Sequence, residues 1–320
     1  MRSRFPLLMA GLTAVALTAA CLPTPPTTPS TPPQARPAGL AKPAKPAAPS
    51  AASRALRTYY AQLQADLLAQ GLMRQDGGGP DTPYGAREVA RNFERIAFYD
   101  EYARGGGLRS SEGAAPGGLR RWSGPVRMRV EFGASVSAEE RASDTAEVAG
   151  YVTRLASLTT HPISLVTRGG NFHVLFMSED DRPQAISRIK QLVPNISQSS
   201  LDIFRDLPRE IHCLVLAFSG DDSEYDYRRA IALVRTEHPP LMRRACVHEE
   251  LAQGLGLAND SLSARPSIFN DDDEFALLTS HDELLLRMLY DPRLSIGETA
   301  EDARPMVQQM AKELTGEVEG

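Results

Sequence analysis

The chain has 320 residues, of which 35 are lysine or arginine and 40 are aspartate or glutamate, giving a formal net charge of -5. This charge is mild, and the basic residues are scattered instead of clustering with aromatic residues, so the composition argues against a nucleic-acid partner. Residues 51–320 are long enough for one large domain, or for a smaller domain that follows a few helices.

The first twenty residues have the three-part layout of a secretory signal peptide. Two arginines precede an apolar run over residues 5–17, and small residues at 18–20 lead directly to Cys21. The run is shorter than the roughly 20 residues that a membrane-spanning helix needs. Small residues before a cysteine resemble the lipobox of bacterial lipoproteins, in which that cysteine receives a diacylglyceryl group and becomes the mature N-terminus. We therefore predict a signal peptide over 1–20 and lipidation of Cys21; simple secretion after cleavage at Ala20 is the alternative.

Residues 21–50 are predicted to form a stalk between the lipid and the folded part. Ten of the 29 residues from 22 to 50 are prolines, and Leu22 and Leu40 are the only large apolar residues among them. Such a segment cannot bury a core. Leu22 stands where an aspartate would resemble an inner-membrane retention signal, so the periplasmic face of the outer membrane is the favoured location.

A helical preface is predicted over residues 51–120. Apolar residues recur at helical spacing over 52–73, until a run of glycines at 77–79 breaks the pattern. A second helix is predicted over 86–102, and a loop rich in glycine and serine follows over 105–118. The main domain is predicted over residues 121–320.

The pattern changes at Pro125, because apolar and charged residues alternate from there to Phe132, with the period of a half-buried strand. Ser137 is predicted to begin a helix that ends near Leu158. Later elements are predicted as strands over 163–167, 172–177, 211–218 and 230–236 and as helices over 182–192, 241–256 and 280–289. The gaps between strands are too short for repeated βαβ crossovers, so the predicted class is α+β, with a mixed β-sheet and helices packed on one face.

Two cysteines, Cys213 and Cys246, remain once Cys21 carries lipid. Disulfides form and persist in the compartment to which the signal peptide directs the chain. We predict a bridge between these cysteines, with a stabilising effect of roughly 3–4 kcal/mol. The alternative is a pair of buried, reduced cysteines that behave as small apolar residues.

One stretch near the C-terminus carries the polar residues from which chemistry can be predicted. Glu249 and Gln253 lie four residues apart on a predicted helix and therefore share a face. Gly256 offers a stop after which the chain can turn back and present Asn259 or Asp260 to the same place.

This stretch resembles the metzincin-like zincins, whose signature places His-Glu-x-x-His on a helix, a glycine three residues later and a third metal ligand three beyond that. When the signature is aligned on Gly256, its first histidine falls on Glu249 and its glutamate on Glu250. Its second histidine falls on Gln253 and its third ligand on Asn259. None of the three expected histidines is present, and a signature that begins at His248 fails because Ala252 is four residues later. Adjacent helix residues point about 100° apart, so Glu249 and Glu250 need not share one site.

A second segment extends the resemblance. Ser267, Ile268 and Phe269 lie where those enzymes carry the Ser-Ile-Met turn beneath the metal, with Phe269 in the place of the methionine. Residues 278–290 resemble their closing helix, and the predicted order of strands and helices also suits a zincin fold. Several segments between residues 249 and 293 resemble an uncharacterised family of proteobacterial lipoproteins with no assigned function.

The donor set does not favour zinc, because zinc sites are built overwhelmingly from imidazole and thiolate, whereas these positions offer carboxylates and amides. Oxygen ligands suit Ca²⁺, Mg²⁺ or Mn²⁺ better, if they suit any ion. No cofactor and no metal is predicted, with an oxygen-ligated divalent ion as the alternative. Asp271 to Glu274 lack the spacing of a calcium loop and are predicted to form a solvated loop. Thr279 or Ser280 is predicted to cap the last helix, with Asp282 in its first turn.

The predicted function is that of a lipid-anchored envelope protein with a degenerate zincin-like domain, which binds or scaffolds an envelope protein, a peptide or a glycan. In the simplest form of this hypothesis, Glu249, Glu250 and Gln253 only satisfy helix-end and loop amides around residues 267–271. The alternative is a peptidase-like hydrolase that uses Glu250 as general base, a role that requires an activated water on a non-standard metal site. His173 and His212, each on a predicted strand, are predicted to be surface or edge residues and not ligands.

Overall fold

The computed structural model describes residues 48–99 and 117–317. The chain divides into two units after residue 45, and every described residue belongs to the second unit, 46–320. The predicted signal peptide, Cys21, most of the predicted stalk, the end of the second predicted helix and nearly all of the 105–118 loop lie outside the described residues. Within the described ranges, no helix combines the length and the apolar character that crossing a bilayer demands.

The described residues form eight helices and five strands. The helices are α1 (Ala51–Ala69), α2 (Ala86–Phe98), α3 (Ala138–Thr159), α4 (Arg182–Leu192), α5 (Gln198–Arg205), α6 (Pro240–Gln253), α7 (Ser280–Leu289) and α8 (Ala300–Thr315). The strands are β1 (Val126–Phe132), β2 (Ile163–Leu165), β3 (Phe172–Met177), β4 (Cys213–Gly220) and β5 (Ser223–Arg235). Helices α5 and α8 were not predicted, and β5 begins seven residues earlier than its predicted start.

The five strands form one mixed sheet in the order β2-β1-β3-β5-β4. Strands β2, β1, β3 and β5 pair in parallel, and β4 pairs antiparallel with β5. Helix α3 connects the parallel neighbours β1 and β2, and it begins at the predicted cap, where the Ser137 side chain accepts from the Glu140 backbone N–H. The structure therefore confirms the α+β class and the mixed sheet.

The sheet is covered by helices on both faces, so the prediction that helices pack on one face was wrong. On one face, residues such as Val174 contribute to the large core shared with α2, α3, α6, α7 and α8. On the other face, Leu175 and Leu233 pack against Ile189 of α4 and Phe204 of α5. All six residues of β3 are buried, and a continuous apolar strand of this kind is typical of a sheet covered on both sides.

The helices predicted as a preface pack onto the same unit as the sheet. Tyr60 and Leu67 of α1 join a third apolar cluster with Met242 of α6. The Tyr60 hydroxyl donates a 2.9 Å hydrogen bond to the Arg209 carbonyl. Helix α2 packs against α7 and α8. The N-terminal helices are thus part of the unit that carries the sheet.

The single tryptophan of the chain, Trp122, lies where the segment before β1 meets the end of α6. It is 2% exposed, its ring stacks on Phe172, and its Nε1 donates a 2.9 Å hydrogen bond to the Gly254 carbonyl. A Cβ at Gly254 would lie 2.4 Å from the Phe172 ring. Only glycine allows this close approach between α6 and the sheet.

Candidate functional site

A cleft of about 290 Å³ lies between the beginning of β4, the middle of α6 and the segment 267–276. Its lining includes six carboxylates, and we call it the acidic cleft. These carboxylates belong to Glu210, Glu249, Glu250, Asp271, Asp272 and Asp273. Its carboxylates therefore come from three separate parts of the sequence.

Helix α6 places Glu249 and Glu250 at the cleft. It begins at Pro240, whose fixed φ suits the first turn of a helix. Glu250 is 3% exposed, and Glu249 is half-buried. Sequence spacing suggested that the two glutamates need not share one site, but one oxygen of each lies within 4.8 Å of the other and of the Cys213 sulfur. The structure therefore brings both carboxylates together.

The predicted disulfide between Cys213 and Cys246 is confirmed, with Cα atoms 5.7 Å apart. Cys213 is the first residue of β4 and Cys246 lies in α6, so the bridge ties the edge strand to the helix that carries the two glutamates. Both cysteines line the cleft. A sulfur held in a disulfide is not a thiolate, and it is the thiolate that binds metal. Cys213 is thus unavailable as a ligand while the bridge is intact.

The wall opposite α6 is the loop that carries Asp271, Asp272 and Asp273. Asp271 and Asp273 adopt φ values of 51° and 55°, in the left-handed region that aspartate tolerates better than most residues. Their exposure agrees with the predicted solvated loop. Partial loss of water in the cleft raises the pKa of the Asp273 carboxyl; His212 opposes this shift, and the other two aspartates add to it. Burial lowers the pKa of His212, while Asp273 acts in the opposite direction.

The turn that resembles the one beneath the metal in zincins forms part of the cleft floor. Ser267 and Ile268 line the cleft, and Phe269 is fully buried. The buried Asp282 carboxylate accepts hydrogen bonds from the Ser267 hydroxyl at 2.5 Å and the Ile268 backbone N–H at 3.1 Å. It also accepts from the backbone N–H and hydroxyl of Thr279. The Thr279 hydroxyl oxygen in turn accepts from the Asp282 backbone N–H, which confirms Thr279 as the cap of α7. The turn is therefore fixed to the start of α7.

Three predicted site residues lie outside the lining of the acidic cleft. Helix α6 ends at Gln253, three residues before the predicted stop, and Gln253 is 8% exposed. The side chain of Asn259 donates a 3.0 Å hydrogen bond to the Arg95 carbonyl of α2. Neither Asn259 nor Asp260 is among the residues that line the acidic cleft. The sharp path after α6 depends on Gly256, whose φ of 134° few other residues adopt.

All six histidines lie in the described ranges, and one of them, His212, lines the acidic cleft. The predicted surface position of His173 is wrong, because it is 2% exposed and its Nδ1 lies 2.7 Å from a Glu131 oxygen. His248 Nδ1 accepts from the Leu278 backbone N–H at 3.0 Å. His161 contacts the Gly124 carbonyl, His238 the Cys246 sulfur and His281 the Asn92 side chain.

The acidic cleft offers carboxylate oxygens as ligands, and no lysine or arginine is among its described lining residues. Such a site suits an ammonium or guanidinium group, or a hard divalent cation, better than it suits zinc. Sequence reasoning identified the two glutamates but missed Glu210 and His212 as lining residues. It predicted a solvated loop at residues 271–273 and did not recognise that this acidic run forms the second wall of the acidic cleft.

Comparison with known proteins identifies a family without an assigned function. No curated protein matches the chain, and no solved structure matches it. The profile of the family described as "Protein of unknown function (DUF2927)" matches residues 86–309. The matched span begins with α2, ends within α8 and contains every carboxylate of the acidic cleft. The chain therefore belongs to the DUF2927 family of proteins of unknown function.

Proposed function

We propose that this chain is a lipid-anchored protein of the bacterial envelope, which binds a positively charged segment of a protein or peptide in the acidic cleft without cleaving it. In this proposal Cys21 carries the lipid, and the folded unit faces the periplasm from the outer membrane. The small residues before Cys21 and the proline-rich segment after it support the anchor and the stalk.

The observation that carries the proposal is the concentration of six carboxylates around a cleft of about 290 Å³ with one imidazole. Like charges at short range raise each other's energy, and a cation between them relieves that repulsion. A lysine or arginine side chain supplies the charge together with hydrogen-bond donors for several carboxylates. Binding of a basic segment therefore follows from the charge of the cleft.

A degenerate zincin-like fold is the second part of the proposal. It is supported by the order of β1, α3 and four further strands that leads into α6, with α4 and α5 between β3 and β4. The turn at Ser267 to Phe269, of which Ser267 and Ile268 line the same cleft as α6, also supports it. Glutamate, glutamine and asparagine occupy the positions where the zincin signature carries histidines, at Glu249, Gln253 and Asn259. These residues favour a domain that recognises a segment over one that cleaves it with zinc.

A hydrolase is the second candidate, and one geometric observation favours it. Oxygens of Glu249 and Glu250 lie within 4.8 Å of each other, which is close enough for both to contact one hard cation with bonds of roughly 2.3–2.6 Å, as Ca²⁺ makes. Glu250 would then act as general base toward a water activated by that cation.

The binding proposal is tested with a fluorescein-labelled heptapeptide that carries a central Lys-Arg pair, added to residues 46–320. We expect the Glu249→Gln/Asp271→Asn double variant to bind about fivefold more weakly, because two attractive charges are lost. Asparagine tolerates the left-handed φ of Asp271, so folding is preserved. The matched control is Asp221→Asn/Asp222→Asn, which removes two exposed charges from the β4–β5 turn. Equal affinities for the two double variants would contradict the proposal.

The hydrolase is separated from the binding protein by metal content and by cleavage. We expect the purified unit to hold no stoichiometric metal, to show no thermal shift with Zn²⁺, Mn²⁺ or Ca²⁺, and to leave the heptapeptide intact by mass spectrometry. Stoichiometric metal that is lost in Glu250→Gln, together with cleavage that the same variant abolishes, would establish the hydrolase instead.

A further inference from the structure

A second concavity, of about 520 Å³, lies between α2 and α8 and shares no lining residue with the acidic cleft. We call it the α2/α8 groove. Its apolar lining includes Ala86, Ala90 and Val307, each of them less than a tenth exposed as a residue. Ala86 and Ala90 are four residues apart and therefore share one face of α2. Their short side chains leave a space beside α8 that Val307 does not fill.

The rim of the groove is rich in cations. Five basic side chains line it, at Arg87, Arg91, Arg95, Arg304 and Lys312. The two carboxylates in the lining are already engaged: Glu94 pairs with Arg304 at 2.9 Å, and a Glu317 oxygen accepts from the Ala86 backbone N–H at 2.9 Å. Arg91 is exposed and makes no ion pair within residues 48–99 and 117–317. The groove thus combines an apolar floor with an excess of positive charge.

The size of the groove points to a small molecule. Ligand sites typically enclose roughly 300–1,000 Å³, and the α2/α8 groove falls in that range at about 520 Å³. A stable protein partner would instead need to cover roughly 800 Å² on each side. An apolar floor requires an apolar body in the ligand, and the basic rim requires an anionic head.

From these properties we infer that the α2/α8 groove binds a single-chain amphiphile with a carboxylate or phosphate head group, with its chain on Ala86, Ala90 and Val307 and its head beside Arg91. The site is separate from the acidic cleft, so a test of amphiphile binding is independent of the function proposed for that cleft. A fatty acid and a lysophospholipid both present this chemistry, and the carboxylate and phosphate probes of the test distinguish them.

The test is isothermal titration of residues 22–320 with dodecanoate and with dodecyl phosphate, both below their micelle concentrations. We expect one site per chain. Arg91→Glu should weaken binding roughly tenfold, since it reverses the unpaired charge at the head-group position. Ala90→Leu should abolish binding by filling the floor. Arg168→Glu is the matched control, because it makes the same charge change at an exposed position between β2 and β3, and it should bind as the parent does.

Three controls separate this site from other modes of binding. Dodecyl maltoside carries the same chain on a neutral head, and equal affinity for it would overturn the role of the basic rim. Binding to vesicles with anionic lipids, without binding to free dodecanoate or dodecyl phosphate, would assign the rim to a membrane surface and overturn the groove as a small-molecule site. Unchanged binding in both Arg91→Glu and Ala90→Leu, each with parental thermal stability, would overturn the location.

Discussion

Glu131 shows how a single buried charge is stabilised in this fold. It lies on β1, its side chain is 15% exposed, and it pairs with His173 of β3 and Arg188 of α4. The Arg188 guanidinium contacts both carboxylate oxygens, at 2.7 and 2.9 Å. Burial alone would raise the pKa of Glu131, but the hydrogen bonds from His173 and Arg188 outweigh it and lower the pKa from its usual 4.5 to about 2.

This lowered pKa predicts acid-dependent stability. The contribution of Glu131 is complete above its usual pKa of 4.5 and is lost as the pH falls toward about 2. After allowance for solvent screening we expect this loss to be about 2 kcal/mol. Urea unfolding of the parent and of Glu131→Gln from pH 6 to 2.5 measures it. The parent should lose more stability than the variant, and parallel curves for the two proteins would contradict the prediction.

At the scale of elements, the Cys213–Cys246 bridge joins the edge strand β4 to helix α6. β4 is an edge strand that pairs only with β5 in the described sheet, and α6 follows β5 along the chain. The bridge closes a loop across a sequence separation of 33 residues and fixes one side of the acidic cleft. Loss of the bridge would remove the covalent link between β4 and α6 and leave β4 held by its pairing with β5 and by core packing.

Removal of the bridge is expected to destabilise the unit by about 3 kcal/mol, because the unfolded chain regains the freedom that loop closure takes from it. The Cys213→Ala/Cys246→Ala double variant and the parent are compared by urea unfolding, with and without a phosphine reductant. The reductant should lower the stability of the parent to nearly that of the double variant and leave the double variant unchanged. A parent that is insensitive to reductant, although fully reduced by thiol titration, would refute the prediction.

Local pattern was sufficient to locate some elements and insufficient for others. β3, α4 and α7 match their predicted bounds, since each combines a clear apolar period with defined ends. α8 was missed because Pro305 lies inside it, and an interior proline normally argues against a helix. α5 was missed because it has only eight residues and begins with polar ones; without it, the second covered face of the sheet could not be anticipated.

Only part of the acidic cleft could be predicted from local sequence patterns. Glu249 and Glu250 belong to one predicted helix, so their place on that helix follows from local spacing, but their meeting in one cleft does not. Glu210 and His212 reach the same place because β4 pairs antiparallel with β5. That strand pairing depends on contacts between residues distant in sequence. The sequence around Glu210 and His212 therefore does not predict that they reach the cleft.

At the scale of the whole molecule, the proposed anchor predicts where the protein is found. Cys21→Ser should abolish incorporation of radiolabelled palmitate and move the protein from the membrane fraction to the soluble periplasmic fraction. The stability of the folded unit should not change, because that unit spans residues 46–320. Control replacement of Ser30 by alanine, within the proposed stalk, should leave the lipid and the fraction unaltered. Labelling that persists in Cys21→Ser would refute the anchor.

The position of Trp122 gives the molecule an intrinsic optical reporter. Since this is the only indole in the chain, fluorescence excited at its absorption band comes from one known place, beside the end of α6 and the Phe172 ring. The buried indole should emit at shorter wavelength in the native protein and shift to the red as α6 separates from the sheet. Unfolding of the region next to the acidic cleft can thus be followed without a label, and any ligand that reshapes α6 should alter the emission directly.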